Sequence, residues 1–320
     1  MRLLVTGATG FIGRTLCEVL AERQCTIRAA LRAERGMPDH VSERVVIGEI
    51  GPETRWEVAL RDVDCVVHLA ARAHVLNDPT SNSHLYTQTN QLGSTGLALA
   101  AARAGVRRFL FLSSVKVNGE DSVAGAFTAH DVPDPQDTYG ASKWLAEQAI
   151  RDVASRHPGM QVAIVRPPLV YGPGVKANFL RLMRWVDAHR PLPLASIDNR
   201  RSLVSVWTLC DLLATLIEHP VPSGTWMVSD GEDLSTPELI RRIAAAMNKS
   251  VRLIPVPVGL LRLVGGALGK GAEVRRLCGS LVVDVSETRE KLGWVPPMST
   301  DEALRRTIPW YLSEGRSHGA

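Results

Sequence analysis

The chain has 320 residues, 45% hydrophobic and 22% charged, which suits one large α/β unit or two packed lobes with a sizeable core. A formal net charge of +4, with Arg residues spread from Arg2 to Arg316 among acids, argues against a nucleic-acid partner and leaves a mild pull on a polyanionic substrate. The five cysteines (Cys17, Cys25, Cys65, Cys210, Cys278) form no C-x-x-C pair, no signal-peptide pattern opens the chain and no run of about 18 apolar residues occurs, so a cytoplasmic protein with reduced thiols, no metal centre and no integral membrane span is expected.

Strand-like runs at Arg2–Thr6, Thr26–Leu31, Val45–Ile47, Cys65–Leu69, Phe109–Ser113 and Gln161–Arg166 alternate with helix-like runs near Phe11–Arg23, Trp56–Arg61, Ser83–Ala104 and Ala141–Arg156. The strands are continuous apolar runs, as expected where helices cover both faces of a sheet. Repeated β-α units predict a doubly wound parallel sheet, a Rossmann-type α/β fold. After Arg166 prolines and glycines crowd together, and helices follow near Ala177–His189, Thr236–Asn248 and Asp301–Leu312. This division predicts a dinucleotide-binding domain over 1–170 and a smaller substrate-binding lobe over 171–320, with 200–220 returning to the first. Val256 to Leu268 is too short to span a bilayer, contains Arg262, and reads as a buried or surface-lying helix.

The first strand runs into Gly7-Ala-Thr9-Gly10-Phe11-Ile12-Gly13 and then a helix. A tight turn, close backbone approach to a pyrophosphate and close helix–strand packing all call for glycine here. The helix start adds free N–H groups for phosphate. No carboxylate ends the second strand; Arg32 stands there and suits a 2′-phosphate, with Arg14 or Arg35 as helpers. NADP(H) is therefore the expected cofactor, with NAD(H) as the alternative. Glu49 and Ile50 are placed to frame the adenine. The small residues of the segment Leu69-Ala70-Ala71 let the backbone pass close to the cofactor, and His68 reads as a core histidine.

Tyr139 and Lys143 share one helix face at i to i+4. A nearby ammonium favours the phenolate and makes the tyrosine a usable acid–base. The end of the fifth strand supplies two hydroxyls, Ser113 and Ser114, of which alternation points one at the cleft.

These motifs resemble the extended short-chain dehydrogenase/reductases, and within them the NAD-dependent epimerase/dehydratase family of nucleotide-sugar enzymes; the resemblance covers essentially the whole chain. The resemblance implies Ser114 as the catalytic hydroxyl, four residues before Asn118-Gly119; Ser113 itself reads as a helix or loop cap. It implies Pro167 beside the nicotinamide, Asn178 and Phe179 near the sugar-nucleotide diphosphate, Arg201 and Arg276 facing the nucleotide, and an L-G-W-x-P pattern at Leu292–Pro296. It also implies a UDP-sugar substrate and a homodimer. The segments Ser113–Glu120 and Arg166–Phe179 look closest to reductases of UDP-4-keto-6-deoxy-N-acetylhexosamines, which serve polysaccharide synthesis. The leading expectation is reduction at C4, and the alternative is 4-epimerisation with tightly held NAD. Dehydration is disfavoured because Val115-Lys116 supplies no acidic pair. A non-catalytic NADP sensor is a remote alternative, since such proteins usually lose the Tyr or the Lys that this chain keeps.

Overall fold

The computed structural model describes residues 1–34, 39–73, 83–122, 125–220 and 223–316. The first half runs β1 (Arg2–Thr6), α1 (Phe11–Glu22), β2 (Thr26–Leu31), β3 (Glu43–Val46), β4 (Cys65–His68), α2 (Ser83–Tyr86), a π-helical stretch Thr87–Gly93, α3 (Ser94–Arg103), β5 (Arg108–Leu112), a 3-10 turn Val115–Val117, α4 (Thr138–Arg156) and β6 (Gln161–Arg166). The second half runs β7 (Leu169–Tyr171), α5 (Ala177–Asp187), β8 (Arg201–Ser205), α6 (Val206–Glu218), β9 (Gly224–Met227), β10 (Asp233–Leu234), α7 (Thr236–Ala246), α8 (Val258–Ala267), α9 (Gly271–Cys278), α10 (Ser286–Leu292) and α11 (Thr300–Trp310).

The main sheet has seven strands in the order β3-β2-β1-β4-β5-β6-β9, and every pairing is parallel. Alternation along each strand feeds two cores. On β1, Leu3 and Val5 face the α1/α6 side, whereas Leu4 faces the α3/α4 side. On β5, Leu110 and Leu112 take the first side and Phe109 and Phe111 the second. Both faces are covered, which accounts for the unbroken apolar runs of the sequence.

The predicted strands all form, with ends within two residues of those expected. The predicted helix Trp56–Arg61 does not. Only the bond from Leu60 N to Trp56 O gives a helical turn there. The buried Arg28 guanidinium takes the carbonyls of Ala59 and Arg61, at 2.9 and 2.7 Å, and Asp62 turns to a φ of 56°. Carbonyls so engaged close the turn before a second one is nucleated.

Within the predicted 200–220, helix α6 packs on the main sheet, and beyond it β9 joins the sheet's edge beside β6. Strand β8 stays in a second sheet of order β10-β8-β7, where it pairs antiparallel with β10 and parallel with β7. Helix α6 is apolar nearly all round because it lies buried against α1 and the sheet. The small sheet packs with α5, α7 and α11 around Phe179, Leu239, Ile243 and Leu304. Trp294 of the L-G-W-x-P pattern is buried in the first core, and its indole N–H donates to Asp211 on α6 at 2.8 Å. That contact ties the C-terminal segment to the nucleotide-binding half. Among the described residues, no helix is long and apolar enough to cross a membrane, and all five cysteines are free thiols.

Candidate active site

Strand order reverses between β1 and β4, and ligands of open α/β sheets settle at the C-terminal strand ends beside such a point. The β1–α1 loop is built for close approach. Gly7 has a φ of +74°, and a Cβ there would stand 2.9 Å from Ala70 N. A Cβ on Gly13 would meet Gly7 O at 2.1 Å, so α1 leaves the strand tighter than any side chain permits. Gly10 precedes α1 without a side-chain cap, so the first-turn N–H groups remain for a phosphate. Ala70 N donates to Thr6 Oγ1 at 3.2 Å, which holds Leu69-Ala70-Ala71 as the opposite wall. These residues fit the pyrophosphate of a dinucleotide. His68 is buried between Thr6 at 2.6 Å and Ser94 at 2.8 Å; burial and the Lys143 charge pull it down to about 3, so it is a neutral core histidine.

At the far end of the groove Arg32 and Glu49 face each other at 3.4 Å, both largely exposed. A surface pair of this kind is worth little, so a ligand can claim either partner. Ile50 is buried and packs against Gly93. Arg14 Nε donates to Thr9 O at 3.2 Å, and Arg35 lies outside the described residues.

Helix α4 begins three residues before the predicted Ala141. Asp137 caps it, its carboxylate accepting from Gly140 N at 2.7 Å, so Tyr139 stands in the first turn. The Ser114 hydroxyl hydrogen-bonds the Tyr139 phenol. Ser114 also caps the 3-10 turn by accepting from Lys116 N at 3.2 Å. Ser113 was expected as a cap, but it points the other way and donates to Glu147 at 2.5 Å. Lys143 Nζ donates to Leu112 O at 2.6 Å and lies 4.3 Å above the Phe111 ring. Burial lowers it to about 7, with Glu147 pulling upward. Burial and the Asp137 charge raise Tyr139 above an ordinary phenol, while the Ser114 hydrogen bond opposes them. The phenol thus rests protonated, and a positive charge brought beside it is what makes proton removal accessible.

The registration of Tyr139 on Ser114 depends on a contact at Gly140. A Cβ there would stand 2.7 Å from Lys116 O, a backbone atom that cannot swing aside. Lys116 bonds Asp137 and, at 3.0 Å, Glu120, which clamps the turn to the α4 cap. Gly140→Ala is expected to lower kcat by about 10- to 100-fold, because a shift near 1 Å between reacting groups costs that much. Steady-state kinetics beside a thermal melt check this; unchanged kcat with an unchanged melt would refute it.

Of the residues expected to face the nucleotide, the structure brings Arg201 and Arg276 together. Arg201 NH1 donates to Arg276 O at 2.7 Å and Gly279 O at 3.0 Å. Burial lowers its pKa, and Asp121 and Glu120 counter that. Arg276 NH2 meets Glu120 at 3.4 Å, so a line of charge runs from β8 to the α4 cap. Asn178 is exposed at the start of α5 and accepts from Arg181 at 2.8 Å. The Phe179 ring is buried and stacks on Tyr171 at 5.0 Å, so it serves the core and leaves only its backbone for a ligand. Pro167 O accepts from Val115 N at 3.0 Å, which sets the β6–β7 loop against the catalytic turn.

Sequence reasoning missed two buried groups. Asn90, in the π-helical stretch, joins Arg72 N at 2.8 Å, Arg72 O at 3.0 Å and Ser142 Oγ at 3.0 Å. It thereby couples the loop after β4 to α4. A polar side chain amid a helix was the available signal, and the π-bulge that often marks functional helices is visible only in three dimensions. Glu147, one turn past Lys143, holds Ser113 and Arg166.

The NAD dependent epimerase/dehydratase family model matches residues 3–228. The chain is 42% identical over 315 residues to a UDP-glucose 4-epimerase of Vibrio cholerae, covering 97% of this chain and 95% of that protein. It is 24% identical to the N-acetyl-alpha-D-glucosaminyl-diphospho-ditrans,octacis-undecaprenol 4-epimerase of Escherichia coli O157:H7, covering 96% and 94%. Among solved structures, the UDP-glucose 4-epimerase of Thermotoga maritima with UDP-glucose superposes with a TM-score of 0.77 at 21% identity, covering 98% and 99%. The UDP-glucuronic acid 4-epimerase of Bacillus cereus in complex with NAD gives 0.77 at 19%, covering 97% and 98%. These likenesses favour the epimerase alternative over the reductase expectation. The chain belongs to the NAD dependent epimerase/dehydratase family and is an enzyme of its nucleotide-sugar type.

Proposed function

We propose that the chain is a UDP-sugar 4-epimerase that works with retained NAD. The observation that carries this reading is the hydrogen bond between Ser114 and Tyr139, with Lys143 one turn along α4, at the C-terminal edge of the sheet that bears the glycine cradle. Gly7, Gly10, Gly13 and the α1 N-terminus would hold the pyrophosphate, and Leu69–Ala71 and Pro167 would flank the cofactor. Bound there, NAD supplies the acceptor and donor of a hydride. Tyr139 takes the proton from the C4 hydroxyl and later returns it. Ser114 holds the C4 oxygen, and Lys143 stabilises the phenolate. The keto sugar then presents its other face. Arg201, Arg276 and Asn178 give the UDP diphosphate a cationic, hydrogen-bonding wall.

One observation favours a second reading. Arg32 directly follows β2, where a carboxylate would bind both ribose hydroxyls, and it suits a 2′-phosphate. NADP(H) would then exchange in solution and net reduction of a 4-keto sugar would follow. The deciding experiment is mass spectrometry of the dinucleotide released on denaturing the purified protein, followed by chromatography of UDP-glucose and UDP-N-acetylglucosamine incubated without added cofactor. Epimerisation with bound NAD is the expected result. A protein free of dinucleotide that oxidises NADPH only with a UDP-4-keto sugar would overturn it.

A further inference from the structure

Soluble helices turn their i, i+3, i+4, i+7 apolar stripe inward. Helix α8 does the reverse. Leu260, Leu263, Val264 and Ala267 have this spacing, and the three large ones are 51, 71 and 45% exposed. Leu268, just past the helix, is 68% exposed. Five of the thirteen exposed large apolar side chains among the described residues fall between Ile254 and Leu268.

This arrangement is held, not frayed. A Cβ on Gly265, the one fully buried position of α8, would meet Val274 of α9 at 2.4 Å, so the two helices are in close contact there. Leu261, Leu277 and Cys278 on the inner side pack against the second core. The hairpin is thus pinned with its leucines outward.

Charge follows the same stretch. Arg252 to Arg276 holds five basic residues and one acid, which equals the formal excess of the whole chain, +4, and leaves the remainder balanced. The acid, Glu273, is paired with Arg181 at 3.2 Å. Arg252, Arg262, Lys270 and Arg275 are exposed, with no acid within 4 Å among the described residues. An outward apolar stripe rimmed by unpaired cations is complementary to an anionic bilayer surface. Ten residues of helix reach about 15 Å, half a hydrocarbon core, so α8 lies in the interface and does not cross it.

We propose that the α8–α9 hairpin docks the enzyme on anionic lipid membranes. The proposal is independent of the reaction assigned above. Its test is co-sedimentation of the full-length protein with vesicles of phosphatidylcholine alone and of phosphatidylcholine with phosphatidylglycerol. The wild type is expected to bind the second and to be released by salt. L260S/L263S/L268S is expected to weaken binding by about tenfold or more. R262E/K270E, which leaves the apolar stripe intact, should remove the preference for the anionic vesicles. Unaltered thermal melts show that each variant is folded. A wild type that stays in solution with both vesicles overturns the proposal. So does vesicle binding indifferent to both variants, or a concentration-dependent dimer of wild type, abolished by the leucine changes, in a protein that ignores vesicles.

Discussion

Tyr139→Phe is expected to lower turnover by about 10²- to 10⁴-fold while leaving dinucleotide content and the thermal melt close to wild type. The phenyl ring keeps its place in the first turn of α4, since that place is set by the Asp137 cap and the Gly140 contact and not by the hydroxyl. What disappears is the hydroxyl proposed to exchange a proton with C4, together with the hydrogen bond to Ser114. Ser114→Ala removes the same hydrogen bond from the other side but leaves the phenol, so it should cost less. The pair is checked by rates measured on protein of known dinucleotide occupancy. Full activity in Tyr139→Phe would remove the acid–base assignment altogether. Ser114→Ala slower than Tyr139→Phe would shift the leading role to the serine.

The glycine loop and the Tyr139–Lys143 pair were legible in the sequence because their geometry is local. A strand, three glycines and a helix start lie within thirteen residues, and an i to i+4 pair meets on any helix. Ser114 was separable from Ser113 only by resemblance, and the structure shows the two hydroxyls facing opposite ways at the end of β5. The remaining machinery depends on pairs far apart in the chain. Asn90 meets Ser142 across 52 residues, and Arg166 meets Glu147 across the α4–β6 crossover. No periodicity announces such partners. The Trp56–Arg61 turn failed as a helix for the same reason, since its carbonyls are taken by Arg28, which is 31 residues from Ala59 and 33 from Arg61. Helix α6 was hidden differently: most of its residues are buried, and only the narrow stripe of Trp207, Asp211, Thr215 and Glu218 is left half-buried or exposed, which is too little polarity to mark a helix in an apolar run.

Glu147 carries the largest expected effect on stability. Its two carboxylate oxygens receive Arg166 Nε at 2.9 Å and NH2 at 2.6 Å, with both side chains essentially buried. Ser113 donates to the same carboxylate at 2.5 Å and Arg151 approaches at 3.1 Å, while the remaining Arg166 nitrogen donates to Asn118 at 3.1 Å. Two buried ions cost much to desolvate, and what offsets that cost here is complete hydrogen bonding around the pair. Glu147→Ala leaves the Arg166 guanidinium charged, buried and short of an anion, and such a loss costs about 3–5 kcal/mol. Arg166→Met alone strands the carboxylate and should cost a similar amount. Replacing both, as E147L/R166M, removes the charges together, and the double variant should be nearer wild type than either single one. Urea unfolding of the four proteins separates the cases through their midpoints. The singles adding up in the double would mean that the pair is not coupled as the geometry requires. Kinetics on the double variant then isolate the second role of Glu147. The Glu147 charge holds the Lys143 pKa up against burial, so a folded E147L/R166M enzyme should lose activity through a neutral Lys143, and recover part of it as pH is lowered through the Lys143 titration.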